Sequence, residues 1–262
     1  MARVQARLMP DAQNFIVPLK FDGGHLDIAP SLFYGKVMTD PIATLDQLLH
    51  ERRSVRGFRP DPVPAEILHR IFAMAAQAPS NCNVQPWIVH VVSGESAERV
   101  RTALHDHVRG GAAVSPDYPL TGPYPGEYRN RQVEAAKALF SATGVARDDL
   151  PARTESFLRN FRFFDAPHAA FILMPEWAQI REAADCGMYT QSLMLAFTAH
   201  GIGCCAQGAL GHYADVVRHA LDVPDGHRVL FGIAFGYEDT DHPANRTRTG
   251  RAPLHDTTIF HD

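Results

Sequence analysis

Arginines recur at Arg52, Arg53, Arg56 and Arg59, within eight positions, and again at Arg246, Arg248 and Arg251, within six near the C-terminus. Hydroxyl residues stand among them at Ser54, Thr247 and Thr249, with little acid beyond Glu51. An arginine run most often forms a solvated face. Guanidinium groups mixed with small hydroxyls and little acid also suit a compact local anion such as one phosphate, which their planar N–H forks grip. A polar stretch, Ser80-Asn81-Cys82-Asn83-Val84-Gln85, adds amide side chains that can meet the donor and acceptor edges of a heteroaromatic ring.

The chain shows no reactive group of its own. Its 14 histidines are scattered without an H-E-x-x-H pattern, and His105 and His107, two apart, diverge on a helix, so no metal site is expected. Ser54 has no adjacent base and no G-x-S-x-G elbow exists. The segment Gly201-Ile202-Gly203-Cys204-Cys205-Ala206 fits a nucleotide fingerprint in letters only. A helix precedes it and a strand follows, the reverse of what brings backbone amides to a pyrophosphate. Gly201 reads instead as the C-terminal cap of that helix. Cys82, Cys186, Cys204 and Cys205 lack zinc or C-x-x-C spacing and read as buried thiols in a reducing compartment. The pattern suggests borrowed chemistry: a phosphorylated organic cofactor held by arginines, with Asn83 and Gln85 near its ring edges.

Composition sets the frame. The 262 residues are 45% hydrophobic and 21% charged with a net charge of −4, which suits one domain with a large core and disfavours nucleic-acid or membrane-surface partners. No apolar run of about 18 residues and no apolar leader segment is visible, so a cytoplasmic protein is expected. Residues 1–40 read as an irregular arm and 41–262 as the domain.

Apolar spacing predicts helices over Pro41–Glu51, from Pro64 to before Pro79, over Ala97–His107, Glu127–Ser141, Asp149–Asn160 and Tyr213–Leu221. Strands are expected at Trp87–Val92, Ala169–Met174, Ile202–Ala206 and Val229–Phe235. Residues 110–130, dense in Gly, Pro and Tyr, form a loop long enough to be functional. The helix Glu182–His200 is apolar nearly all round, so it must lie centrally or between two subunits. The order implies an α+β fold, helices over a sheet of four or five strands.

Arg52-Arg53-Ser54-Val55-Arg56-Gly57-Phe58, Ala78-Pro79-Ser80-Asn81-Cys82-Asn83-Val84-Gln85-Pro86-Trp87, Gly201-Ile202-Gly203 and Asn245-Arg246-Thr247-Arg248-Thr249-Gly250-Arg251-Ala252-Pro253-Leu254, in that order, resemble the FMN-dependent nitroreductase family over about Pro41 to Leu254. The resemblance implies a homodimer built on a mostly antiparallel sheet flanked by helices, with FMN in clefts at the subunit interface. It implies a cofactor-binding set of Arg52, Arg53, Ser54, Arg56, Pro79, Ser80, Asn81, Asn83, Gln207, Gly208, Arg248 and Arg251. Arg52 and Ser54 would grip the phosphate and ribityl chain, with Arg251 and Arg248 closing on the phosphate. Arg56 would reach the N1 and C2-carbonyl edge, while Arg53 either joins or faces solvent. Pro79, Ser80, Asn81 and Asn83 would come from the partner subunit, and Ala206-Gln207-Gly208 would run along the ring. The segment from about 110 to 164 departs from smaller family members as an insert. Tyr118, Tyr124, Tyr128 and Phe164 in it are candidates for a substrate lid, or else pack the insert onto the body.

The activity so implied passes a hydride from NAD(P)H through FMN N5 to an electron-poor aromatic, a nitroaromatic first, by a ping-pong mechanism. Reductive dehalogenation, reduction of another conjugated electrophile, or flavin binding without turnover are the alternatives.

Overall fold

The computed structural model describes residues 40–261, so the expected arm at 1–40 lies outside the described residues apart from Asp40. Four strands, β1 (Ile88–Ser93), β2 (His168–Pro175), β3 (Gly203–Gln207) and β4 (His227–Gly236), form an antiparallel sheet in the order β1-β2-β4-β3. Helices α1 (Pro41–Glu51), α2 (Ala65–Ala75), α3 (Gly94–Arg109), α4 (Gly126–Thr143), α5 (Leu150–Leu158), α6 (Ile180–Ala199) and α7 (Ala214–Ala220) account for every helix read from the apolar spacing. Ends differ by a few residues. α6 starts at Ile180 because the Gln179 N–H donates to Glu182 Oε2 at 2.8 Å, a cap that carries the helix one turn ahead of its apolar stretch.

Strand β2 explains the layering. Ala169, Phe171 and Leu173 face one core with α3, α5 and α7, while Ala170, Ile172 and Met174 face another with α2 and α6. Alternate side chains of a strand point to opposite faces, so a continuous apolar run requires helices on both. The vicinal Cys204 and Cys205 split the same way, one into each core. Burial pushes the Cys204 thiol up to about 12 and raises that of Cys205, so both remain thiols rather than a redox pair.

Gly201, with φ +70°, ends α6 as expected. Its N–H bonds the Thr198 carbonyl at 3.0 Å and the Ile202 N–H bonds Phe197 at 2.9 Å, satisfying the last carbonyls as the chain turns into β3. Behind β3 the chain makes a tight turn over Gly208–His212 against β4, where a Cβ on Gly211 would stand 2.3 Å from the Leu230 carbonyl oxygen. Only glycine lets the two backbones approach this closely.

Candidate functional site

The segment after α1 is laid along the edge of β3. Ser54 bridges Cys204 in parallel and the Val55 N–H bonds the Cys204 carbonyl at 3.0 Å, with Val55 buried beneath. This register turns Arg52, Ser54 and Arg56 towards a common hollow. The second basic segment reaches the same hollow through Asn245, which is buried. Its Oδ1 accepts the Arg56 N–H at 2.7 Å and its Nδ2 donates to the carbonyls of Gly57 and Asp239, both at 2.8 Å. The two arginine segments, some 190 residues apart in sequence, are thus clamped side by side by one carboxamide.

Between them lies a cavity of 730 Å³ lined by Arg52, Arg53, Ser54, Arg56, Thr247, Arg248, Thr249 and Arg251, with Gln191 and Met194 of α6 on its wall. None of its lining residues among those described is Asp or Glu. Arg53 is spoken for: its Nη2 lies 2.5 Å from both carboxylate oxygens of Glu238. Among the described residues Arg56, Arg248 and Arg251 meet only neutral acceptors, and the Arg52 side chain makes no hydrogen bond or ion pair. Arg248 bonds the Asn245 and Thr247 carbonyls, Arg251 those of Gly250 and Thr249, and Arg56 the Ser54 carbonyl.

Strand β3 leads from this cavity to a second. Gly208, four residues beyond Cys204 or about 13 Å along an extended strand, lines a cavity of 830 Å³ together with Gly211, His212, Tyr118, Tyr124, Arg129 and Gln132. No atom of the described residues comes within 4 Å of where a Gly208 Cβ would stand, so this end of β3 is open among them. Gln207 is buried, its Nε2 held by the Asn160 carbonyl at 2.9 Å and its Oε1 without a partner.

Of the four lid candidates, Tyr118 and Tyr124 line this second cavity. Tyr128 does not; it is 64% exposed, with the Arg131 guanidinium 5.7 Å from its ring centroid. Phe164 is corrected from lid candidate to core residue. Its ring is buried with Phe161 and Phe163 and flanked by the guanidiniums of Arg56 and Arg159 at 6.0 and 5.9 Å. Three adjacent left-handed residues, Phe163, Phe164 and Asp165, wind the end of the supposed insert inward, which apolar spacing cannot report.

Pro79, Ser80, Asn81 and Asn83 do not line either cavity of this chain. They flank and form a short helical turn with Cys82, Asn83 and Gln85 at positive φ, docked on the first half of α6, where the Asn81 N–H donates to the buried Asp185 carboxylate at 3.1 Å. Asn245, Asp185, Gln191 and Met194 were not picked out as site residues from sequence. A lone acid within the apolar stretch 183–199 was the available signal for Asp185; Asn245 stood in a quoted motif without a role.

A profile of the nitroreductase family matches residues 49–237. The chain belongs to the nitroreductase family. Among its relatives is "Nitroreductase NfnB" of Mycolicibacterium smegmatis, 42% identical over 219 residues that span 82% of this chain and 92% of the relative. "Chloronitrobenzene nitroreductase" of Comamonas testosteroni is 34% identical, spanning 82% and 96%. The crystal structure of the FMN-dependent nitroreductase NfnB from Mycobacterium smegmatis in complex with NADPH superposes with a TM-score of 0.82 at 40% identity, covering 85% of this chain and all of that one. The antiparallel sheet between helix layers is thus the nitroreductase fold. The family match stops before Arg246, so the meeting of the two basic segments is learned from the tertiary structure.

Proposed function

We propose that this chain is an FMN-dependent NAD(P)H oxidoreductase that reduces nitroaromatic compounds and works as a homodimer. The observation that carries the reading is the convergence of Arg52, Arg56, Arg248 and Arg251 on one cavity whose lining, among the described residues, includes no carboxylate. Concentrated positive charge facing neutral acceptors suits an anionic ligand, and 730 Å³ is the size of a cofactor site. Thr247 Oγ1 in the same wall is buried without a hydrogen-bond partner, an unmet capacity that a phosphate oxygen would satisfy. The residues present therefore fit flavin mononucleotide.

When bound, FMN supplies the redox chemistry, accepting a hydride from NAD(P)H and delivering reducing equivalents to the nitro group. The protein's part is to bind and orient. Arg52, Arg248 and Arg251, with Ser54 and Thr247, would hold the phosphate. Arg56, fixed at its backbone by Asn245 and laid over Phe164, would set positive charge near the ring edge, where negative charge develops on reduction. The open Gly208 would border the ring and leave room for a second planar molecule, with Gln207 buried behind it and held by Asn160. Both substrates use that one opening by turns, which gives ping-pong kinetics.

Helix α6 supports the dimer. Ala184, Gly187 and Met188 form an exposed, largely apolar face on a helix otherwise packed into the core. Among the described residues Gly187 has no neighbour within 4 Å of its missing Cβ, room for a second helix to lie close. The loop held by Asp185 and the cavity wall at Gln191 and Met194 are six to nine residues apart on α6, about 9–14 Å. A twofold axis near Met188 would carry each loop Pro79–Asn83 to the partner's arginine cavity. No helix among the described residues is long and apolar enough to cross a membrane, and four free thiols suit the reducing cytoplasm.

The test is purification. A yellow protein releasing FMN on denaturation, bleached anaerobically by NADPH or NADH and recoloured by nitrobenzene, is expected; bound flavin that neither nicotinamide reduces would refute the enzymatic reading. Met188→Glu should elute as a monomer and lose flavin, and an unchanged dimer would refute the α6 interface.

A further inference from the structure

We propose that Arg129 makes the second cavity selective for nitroaromatics bearing a negative group on the ring, such as a carboxylate, an inference that rests on the nitroreductase function above. Among the described residues Arg129 is the lining residue with a permanent charge, and no Asp or Glu among them lines the cavity. Burial lowers the pKa of His212, which keeps that ring neutral at pH 7. The Arg129 side chain donates to Gln132 Oε1, a neutral acceptor that orients the guanidinium without cancelling its charge. The nearby acid Glu127 accepts instead from Asn130, and the neighbouring Arg131 lies over Tyr128, outside the cavity lining.

Helix α4 buries none of its residues, so Arg129 is not required for packing. The same cavity offers Tyr118, Tyr124, Leu120 and Leu230 as faces for an aromatic ring. One planar cation beside aromatic walls, with no anion to neutralise it, is the donor set for an aromatic acid, which a guanidinium holds through two parallel N–H bonds.

The test compares wild-type holoenzyme with Arg129→Gln and Arg129→Lys. Steady-state kinetics give kcat/KM for 4-nitrobenzoate, nitrobenzene, NADPH and NADH separately, as ping-pong kinetics allow. Calorimetry with benzoate and benzamide reads binding without turnover. Expected for Arg129→Gln is a loss of about tenfold for 4-nitrobenzoate and in benzoate affinity, the scale of one charge-assisted contact. Nitrobenzene, benzamide and both nicotinamides should stay within about twofold, with Arg129→Lys between. An equal loss for charged and neutral nitroarenes would overturn the proposal. So would a loss confined to NADPH, which would make the phosphorylated dinucleotide the anion read by Arg129. Wild-type enzyme that reduces neither nitroarene yet binds benzoate in an Arg129-dependent way would sink the proposed function and uphold the anion subsite.

Discussion

Replacing Arg52 by Ala removes one of four guanidiniums that face the 730 Å³ cavity without a carboxylate partner. A hydrogen bond to a charged group contributes about 1.5–3 kcal/mol. Arg52 is half-buried, so solvent screening moves the figure to the lower end, about 1.5–2 kcal/mol. At 1.4 kcal/mol per factor of ten, FMN affinity should fall roughly 10- to 30-fold. The contact is to the phosphate, so riboflavin, which lacks it, should lose less than about twofold. Flavin fluorescence titration of the flavin-stripped protein with both ligands isolates that term. Added salt should shrink the FMN preference of the wild type more than that of the variant, because fewer charges remain to screen. Equal losses for FMN and riboflavin, or none for either, would refute the assignment of this segment to the phosphate. Thermal stability should hardly change, since among the described residues the Arg52 side chain makes no hydrogen bond or ion pair.

Three other outcomes are expected. His168 is buried between the Val63 N–H, which donates to its Nε2 at 2.8 Å, and Ser93 Oγ at its Nδ1, and burial lowers its pKa from 6.5. The unfolded chain then takes up a proton that the folded one refuses, so stability should be full above pH 6.5 and decline below it. Urea midpoints from pH 8 to 5 should show this decline reduced in His168→Gln, and parallel curves would contradict it. Gly211→Ala forces a methyl onto the Leu230 carbonyl and should cost about 1–3 kcal/mol, lowering the melting temperature by several degrees; an unchanged melting point would show that the turn yields freely. Asp185→Ala releases the Asn81 N–H and should speed hydrogen exchange across Ser80–Gln85. Unaltered exchange there would mean the loop holds itself.

Much of the architecture was readable along the chain because it is written in local periodicity. The alternation that buries β2 on both faces, the 3.6-residue spacing of Leu68, Ile71 and Ala75 in α2, and the glycine that closes α6 each depend on near neighbours. The two basic segments were visible for the same reason: arginines clustered with hydroxyls and without acid have a chemical meaning before any folding.

What the sequence could not decide was which charges are used up and which groups meet. Arg53 and Arg52 are adjacent and chemically identical, yet Glu238, far along the chain, neutralises the first alone. Phe164 and Tyr124 both read as aromatic residues of an insert, but left-handed backbone at 163–165 folds one into the core while the other lines a cavity. Asn245 became a clamp only because β3 and the end of β4 bring Gly57 and Asp239 within reach of one carboxamide. Periodicity and composition act over a few residues. Pairing, desolvation and convergence depend on distances in space, and only the packed sheet and its helices set those.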